Sequence, residues 1–402
     1  MSASAASTPR PDTPVNRLAS LDTYRGFVMF LMAAEMLHWG RVAAQFPESS
    51  LWKFIDFHTS HVAWYGCSLH DMIQPSFSFM VGVALPFSIA SRVAKGQSAL
   101  SMTWHAVWRS LILIYLGIFL RSVGRSQPNF TFEDTLTQIG LGYTLLFLVG
   151  LRKPVVAWIA LALTLVGYWA AWAMYPLPPA SFDFASVGVP ADWPHHAKGL
   201  AAHWNKNYNL GTAFDRWFLN LFPRAKPFEY NGGGYLTLSF IPTLGTMLLG
   251  LICGRLLRGP SSTVHKIQWM IIAGVIGLAS GQLLQTLGIC PVVKRIWTPA
   301  WTLFSGGWCF LLMAAFYWLV DIQGFQKASF PLRVIGMNSI AIYCLVHLID
   351  GFIISSLKTH LGPGFFLMFG KTFEPMFTGA CGLFVFWLIL LWMYRRKLFL
   401  RV

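Results

Sequence analysis

Charged residues are scarce in this sequence. Asp, Glu, Lys and Arg make up 11% of its 402 residues, against about a quarter in soluble proteins, while hydrophobic residues reach 55%. This balance excludes a water-soluble globule, and the richness in aromatic and apolar residues excludes a disordered chain or a coiled coil. The six cysteines are too scattered for a disulfide scaffold. We therefore expect the chain to lie in a bilayer.

Acidic residues are the scarcest charged class, with 15 Asp and Glu against 30 Lys and Arg. In a soluble protein this excess would suggest nucleic-acid binding, but here the basic residues form short clusters between long apolar runs, which is typical of cytoplasmic loops. Nucleic acid is therefore not an expected partner. The clusters are Arg10 and Arg17, Arg92 and Lys95, Arg152 and Lys153, Arg255, Arg258 and Lys266, Lys327 and Arg333, and Arg395, Arg396, Lys397 and Arg401. Both termini are then cytoplasmic, and the expected location is the cell (inner) membrane.

Apolar runs long enough to cross a bilayer recur along the chain. A transmembrane helix needs about 17 to 25 residues, and about ten windows meet that length. They lie near residues 23–40, 70–91, 104–121, 134–151, 154–175, 235–254, 267–288, 300–320, 332–354 and 376–394. The predicted fold is an all-α polytopic membrane protein with these helices in one bundle.

The predicted organisation is a cytoplasmic tail, residues 1–16, and one transmembrane domain, residues 17–402. The tail is rich in Ser, Ala, Thr and Pro and has no apolar core of the kind that marks a signal peptide. Two long segments near 41–69 and 176–234 fall on the side opposite the basic clusters. The second is rich in Pro, Trp, His and Asn, and we expect it to form an ordered extracytoplasmic cap over the bundle.

One short segment combines two histidines and an aspartate. His58 and His61 lie in the first outer loop, and Asp71 follows ten residues after His61. His61 could act as a general base whose tautomer Asp71 fixes. Two alternatives remain open: a metal site, for which this spacing is a weak pattern, and two histidines in an interfacial aromatic belt. Cys67 and Cys290 lie near outward span ends, where one disulfide is conceivable.

Several motifs, in a fixed order over nearly the whole chain, carry a family resemblance. They are Arg17–Gly26, His61–Asp71 running into Gln74–Gly82, Gln138–Tyr143, Pro291–Trp297 and Gly336–Tyr343. Together they resemble the heparan-α-glucosaminide N-acetyltransferase family, including its bacterial members. The resemblance implies a transmembrane enzyme that takes acetyl-CoA from the cytoplasmic face and transfers the acetyl group to a glucosamine amine on the opposite side, with His61 as the active-site histidine.

The chain also departs from this family. It lacks the luminal domain of the lysosomal member, so the resemblance supports amine acetylation more strongly than it supports heparan as the substrate. An asparagine of the family's first span aligns with Met36, which leaves Glu35 and His38 as candidate substitutes.

Two further groups of site residues are expected. Arg and Lys on the cytoplasmic rim would bind the phosphates of CoA, although the topology rule places basic residues there in any case; Ser20, Asp22 and Arg25 could equally form a helix start. The cofactor group is Arg17, Ser20, Asp22, Arg25, Arg92, Lys95 and Arg333. The substrate or oxyanion group is Asn338, Ser339, Glu35, His38 and His58.

The sequence thus predicts an acetyltransferase with acetyl-CoA as co-substrate, an amino-sugar acceptor, membrane lipid around it and no metal, and it leaves a homodimer open. A second hypothesis is a transporter or flippase for an amino sugar or anionic glycan. A third is a membrane acyltransferase that uses a longer acyl donor. Acetyl-CoA should protect the acetyltransferase against heating, whereas a transporter would be indifferent to it.

Overall fold

A computed structural model describes residues 18–400, and helices dominate this part of the chain. The α-helices are α1 (Ala19–Ala33), α2 (Trp39–Ala43), α3 (Ser50–Thr59), α4 (Ile73–Ala94), α5 (Ala99–Ser122), α6 (Thr135–Gly150), α7 (Pro154–Ala173), α8 (Leu210–Phe218), α9 (Phe240–Arg258), α10 (Thr263–Thr286), α11 (Pro299–Phe316), α12 (Phe330–Met337), α13 (Ser339–Leu361), α14 (Pro363–Phe366) and α15 (Glu374–Arg395). Within these residues the structure has no β-strand, only a single bridge between Tyr65 and Val293. The predicted all-α polytopic bundle is confirmed.

Among the described residues, 8 helices are long and apolar enough to cross a membrane. They are α4, α5, α7, α9, α10, α11, α13 and α15, several of them extended by a short turn. The other two predicted spans, 23–40 and 134–151, correspond to shorter helices: α1 has 15 residues and continues as a 3-10 turn, Ala34–Leu37, while α6 has 16 residues. The chain therefore has about ten spans, as predicted, only if α1 with its 3-10 turn and α6 also cross the membrane.

Helix α9 lies at the centre, packed against α4, α6, α7 and α11. Two glycines allow its backbone to touch that of α4. A Cβ atom on Gly250 would overlap the carbonyl oxygen of Phe79, and one on Gly82 would overlap that of Met247. Small residues at such contacts let helices approach closely in a membrane, where packing rather than the hydrophobic effect holds them together.

The predicted ninth span, 332–354, is divided at Asn338 into α12 and α13. The side-chain amide of Asn338 donates to the carbonyl of Leu398 at 3.0 Å and accepts from the amide of Leu400 at 3.1 Å. Asn338 therefore anchors the C-terminal segment to this break. Because Arg25 and Leu400 line the same cavity, the two ends of the described chain lie at the same end of the bundle.

The two long predicted loops contain short helices. The first, near 41–69, holds α3 and most of α2, and the second, near 176–234, holds α8 and several 3-10 turns. The second has a hydrogen bond within it, from the side-chain amide of Asn207 to the carbonyl of Val187 at 2.8 Å. It also packs on the bundle, since the Trp204 ring stacks on Trp169 of α7 with centroids 6.4 Å apart. The disulfide considered for Cys67 and Cys290 does not form, because both are free thiols.

Candidate functional site

Three side chains converge where the first outer loop meets α4. His61 Nδ1 lies 2.8 Å from Asp71 Oδ1. Lys294 Nζ lies 3.2 Å from the same carboxylate oxygen and 3.0 Å from His61 Nδ1. Asp71 and Lys294 are nearly inaccessible, with side-chain exposures of 1% and 5%, whereas His61 is 36% exposed. A buried ion pair therefore stands behind a partly open imidazole.

The second oxygen of Asp71 is held by the chain around it. Asp71 Oδ2 accepts from the amide of Val62 at 3.2 Å, from the amide of Ser68 at 3.1 Å and from the Ser68 hydroxyl at 3.0 Å. With both oxygens engaged, the carboxylate has a fixed orientation toward His61. This is the arrangement that holds an imidazole in one tautomer.

The segment with Lys294 is tied to the segment with His61 although they are far apart in sequence. The amide of Gly66 donates to the carbonyl of Val292 at 3.3 Å, next to the bridge between Tyr65 and Val293. Arg295 adds a second connection, since its guanidinium donates to the carbonyl of Gly233 at 2.9 Å and to that of Val62 at 3.4 Å. Three loops are thereby joined at the site.

His61 Nδ1 cannot serve both of its neighbours, because one ring nitrogen carries either a hydrogen or a lone pair. The buried carboxylate of Asp71 is the stronger partner, so Nδ1–H donates to Asp71 and Lys294 donates to the same carboxylate. Nε2 then carries the free lone pair. Burial lowers the pKa of the His61 imidazole, and the Lys294 charge adds to this against the opposing hydrogen bond to Asp71. His61 is thus a neutral base near neutral pH.

His61 opens into a cavity of about 770 Å³, which we call the His61 cavity. Glu35 and His70 lie on the same wall, with His70 Nε2 3.1 Å from Glu35 Oε1. The His61 and His70 rings have centroids 4.4 Å apart. The rest of the lining is polar as well: it includes Arg121, Glu133, Asp134, Asn231, Gly233, Tyr235, Tyr343, His347 and Asp350.

A second cavity of about 730 Å³, the Arg92 cavity, is basic. Its cationic and histidine side chains are Arg25, Arg92, Lys95, His105 and Arg109. Arg109 donates to the hydroxyl of Tyr143 at 3.1 Å, and its guanidinium lies 4.6 Å from the centroid of the same ring. Arg92 donates to Gln97 at 3.2 Å. Such a set suits a polyanionic ligand.

The two cavities lie toward opposite ends of the same five helices. Each of the five helices contributes residues to both cavities. In the following pairs the first residue lines the His61 cavity and the second lines the Arg92 cavity: Met32 and Arg25 on α1, Gln74 and Arg92 on α4, Arg121 and His105 on α5, Thr135 and Tyr143 on α6, and Tyr343 and Ser339 on α13. Phe77 lines both cavities. From Phe77 to Arg92 the axis of α4 covers about 22 Å, so the two cavities together extend through most of a bilayer's depth.

Six of the fourteen sequence-predicted site residues line one of these two cavities. His61 and Glu35 line the His61 cavity, with Asp71 directly behind His61. Arg25, Arg92 and Lys95 line the Arg92 cavity, and Ser339 lies there too, with the predicted cofactor group rather than the substrate group. Asp22 lines a small adjacent cavity together with Arg25. The Arg25 guanidinium donates a hydrogen bond to Asp22 Oδ1 at 3.4 Å.

Other predicted residues lie elsewhere. Arg333 lines a separate cavity with Lys327. Asn338 holds the C-terminal segment, and the Ser20 hydroxyl donates a hydrogen bond to Asp321 at the start of α1. His58 accepts a hydrogen bond from the amide of Leu69 at 3.2 Å. His38 is exposed beyond the 3-10 turn and lines neither cavity. Arg17 lies outside the described residues. Within residues 18–400 no group of three or more His, Cys, Asp or Glu is arranged to hold a metal ion.

Sequence reasoning missed several residues of the two cavities. Lys294 was inside a motif of the family resemblance, Pro291–Trp297, but nothing local linked it to His61. Arg109 carried a usable signal, since a charge inside an apolar helix needs a partner or a role. His70, which directly precedes Asp71, was visible only as part of a motif. Ser76 of α4 lines neither cavity, and its hydroxyl accepts a hydrogen bond from the Tyr24 hydroxyl at 2.8 Å.

No family model matches the chain. Two curated relatives do match it, the heparan-alpha-glucosaminide N-acetyltransferases of Homo sapiens and Mus musculus. The human protein is 23% identical over 364 residues, which are 81% of this chain and 52% of the relative. The mouse protein is 23% identical over 367 residues, or 82% of this chain and 53% of the relative. The chain therefore spans about half the length of these relatives, and the expected family resemblance is confirmed.

Proposed function

We propose that this chain, a distant relative of the heparan-α-glucosaminide N-acetyltransferases, is a membrane-embedded acetyltransferase that moves an acetyl group from acetyl-CoA to the amine of a glucosamine-type sugar. The observation that carries the proposal is the His61, Asp71 and Lys294 cluster, which opens into one cavity, while a second, basic cavity is lined by five of the same helices as the first. A transporter or flippase would also need two accessible ends, but an imidazole oriented by a carboxylate is the arrangement of a general base.

The Arg92 cavity is the proposed site for the CoA nucleotide. The diphosphate and 3′-phosphate of CoA require several cationic donors, and this cavity offers three arginines and a lysine, Arg25, Arg92, Arg109 and Lys95. The basic clusters of the sequence put this end at the cytoplasm, where acetyl-CoA is made. The thin pantetheine arm would then extend past Phe77 toward His61.

The His61 cavity is the proposed site for the acceptor. A neutral amine attacks the thioester carbonyl, and a new C–N bond forms while the C–S bond breaks. His61 Nε2 takes a proton from the attacking nitrogen and returns it to the departing sulfur, so that CoA leaves as the thiol. A base positioned in this way contributes about 10² to 10⁴ in rate, and Asp71 stabilises the imidazolium that forms in between.

Lys294 is proposed to act on the charge that develops during this step. The carbonyl oxygen becomes negative as the amine adds, and the Lys294 ammonium is a cation within 3.0 Å of His61. The field of this charge favours the oxyanion. Asp71 is therefore proposed to stabilise the positive charge on the imidazolium, and Lys294 the negative charge on the carbonyl oxygen, in the same transition state.

The acceptor is proposed to be an amino sugar on the extracytoplasmic side of the cell membrane. The His61 cavity, at about 770 Å³, is large enough for a sugar residue. Its wall presents carboxylates, an amide and a tyrosine hydroxyl, namely Glu35, Glu133, Asp350, Asn231 and Tyr235, which match the hydroxyls and the amine of such a ring.

The test is acetyl transfer by the purified full-length protein. Detergent-solubilised protein is incubated with labelled acetyl-CoA and a panel of amino sugars, and both sugar and protein are analysed by mass spectrometry. His61→Ala should abolish transfer while acetyl-CoA still raises the thermal midpoint of the protein. His265→Ala, an exposed histidine of α10, is the matched control and should retain activity. Full transfer by His61→Ala would remove His61 from the reaction, and a wild-type protein that acetylates no amine and gains no heat resistance from acetyl-CoA would favour transport.

A further inference from the structure

Glu35 and His70 form a second acid–base pair beside His61. Glu35 lies in the 3-10 turn Ala34–Leu37 that ends the first span, and His70 lies in the turn that opens α4. Their side chains meet at 3.1 Å between Glu35 Oε1 and His70 Nε2, with exposures of 60% for Glu35 and 9% for His70. A largely enclosed imidazole is thus held by a carboxylate that opens into the His61 cavity.

The proposed reaction leaves one proton without an acceptor. An aliphatic amine in neutral water is mostly an ammonium ion, which must lose a proton before it can attack. His61 cannot take this proton as well, because its single free nitrogen is needed for the proton released during attack, which it passes on to the CoA sulfur. A second acceptor at the same place lets the site use the abundant ammonium form, and it must be able to release its proton to the outer solution.

We propose that Glu35 and His70 bind the acceptor as its ammonium ion and remove the first proton. This rests on the proposed function and adds a second base to it. The ammonium gives one proton to the pair and becomes the free amine. The amine then attacks, His61 carries the second proton to sulfur, and the pair releases its proton to water at the open side. The sum is ammonium plus acetyl-CoA giving amide, CoA thiol and one proton.

Geometry selects this pair over the other carboxylates. The His70 ring is 4.4 Å from the His61 ring, so a nitrogen held at His61 is next to His70 as well. Glu133 is less suitable, because its two carboxylate oxygens already accept hydrogen bonds from the Thr131 hydroxyl and from the side-chain amide of Asn231. The charged and titratable groups facing the pair from the surrounding elements are His61, Asp71, Arg121, Glu133, Asp134, Lys294, Tyr343, His347 and Asp350.

The pH dependence of kcat/KM distinguishes a base from a structural residue. With the pair in place, the reaction uses the ammonium ion, so kcat/KM for glucosamine should depend little on pH between the acid limb set by His61 and the amine's own pKa. In Glu35→Gln or His70→Asn only the small fraction of free amine can react. Their kcat/KM should therefore fall about tenfold for each pH unit below the amine's pKa and approach the wild-type value above it.

A weakly basic aryl amine acceptor provides a rescue. It is uncharged throughout this pH range, so wild type, Glu35→Gln and His70→Asn should acetylate it at similar rates. Glu374→Gln is the matched control, since this glutamate also contacts a cation, Lys358 at 3.3 Å, away from both cavities. Its pH profile should be that of wild type.

Three results would overturn the inference: a loss of equal size at every pH, an aryl amine that is not rescued, or pH profiles identical to wild type. Heat protection by acetyl-CoA, measured on each variant, shows that the protein is folded. If the wild-type protein acetylates no amine, the proposed function itself fails, and this outcome is visible before any variant is made.

Discussion

The ammonium of Lys294 lies 3.2 Å from the carboxylate of Asp71, and both side chains are almost closed off from solvent. Removing one partner of such a pair leaves a buried charge uncompensated, which costs about 3 to 5 kcal/mol. Here His61 is the third member and can respond by changing its own protonation. The cluster therefore sets the acidity of the imidazole as well as its orientation.

Lys294→Met should move the acid limb of activity to higher pH. The positive charge of Lys294 disfavours the imidazolium, so its loss raises the pKa of His61. Because the base must be unprotonated, activity is then lost at a higher pH than in wild type. The measurement is kcat/KM against pH with an uncharged aryl amine, and Lys358→Met on the protein surface is the control. An acid limb that stays in place or moves to lower pH would contradict the assigned electrostatics.

Arg92→Ala and Arg109→Ala should each weaken acetyl-CoA binding. A hydrogen bond between charged groups contributes about 1.5 to 3 kcal/mol, so each variant should bind the ligand about tenfold or more weakly than wild type. The affinity of each variant should also depend less on the salt concentration, because one charge pair is lost. Isothermal titration with desulfo-CoA or CoA measures the Kd. Arg333→Ala tests the CoA role that the sequence suggested for Arg333: this residue lines another cavity, so the variant should bind CoA with the wild-type Kd. If all three substitutions weakened CoA binding equally, the arginines would act through the overall positive charge of this surface and not through contacts in the Arg92 cavity.

Gly250→Ala should strongly destabilise the bundle. The added methyl group would overlap the carbonyl oxygen of Phe79, a backbone atom that can move only if α4 and α9 separate. Gly167→Ala is the matched control, since a Cβ there meets nothing within 4 Å, and replacing a mid-helix glycine by alanine favours the helix by about 1 kcal/mol. Thermal midpoints in detergent give the comparison. Equal midpoints for the two variants would refute the close contact.

Asp215→Asn should make stability less dependent on pH. Burial raises the pKa of Asp215 to about 7 in the folded protein, against an ordinary value of about 4. The folded state therefore holds a proton that the unfolded state has released, and stability falls as pH rises through this interval. The asparagine does not ionise, so its midpoint should decline less between about pH 4 and pH 7. Asp192→Asn, at an exposed site in the same loop, should decline as wild type does, and a parallel decline of Asp215→Asn would contradict the expectation.

The sequence was informative wherever the relevant residues are close together in the chain. His61 and Asp71 are ten residues apart in one motif, and their hydrogen bond follows from that local geometry. Lys294 joins them from 233 residues away, because a bridge between two loops brings it there, and no periodicity can reveal such a contact.

Polar residues in apolar surroundings were identified correctly, but their uses were not always those expected. Asn338 was expected at the substrate, yet its two ends bind backbone groups near the C-terminus. Glu35 was expected at the substrate and does line the cavity. Residue type shows that a buried polar group needs a partner, while only the packing of helices decides whether that partner is the protein itself or a ligand.

The ring of Phe77 forms part of the wall of both cavities. A bilayer stores an electrical gradient, and an unbroken file of water through it would discharge that gradient by conducting protons and other ions. An aromatic side chain at this point would interrupt such a file, and in the proposed reaction it would have to admit only the slender, uncharged pantetheine arm. A transferase of the proposed kind would then pass acetyl groups between the two compartments without making the membrane permeable to ions.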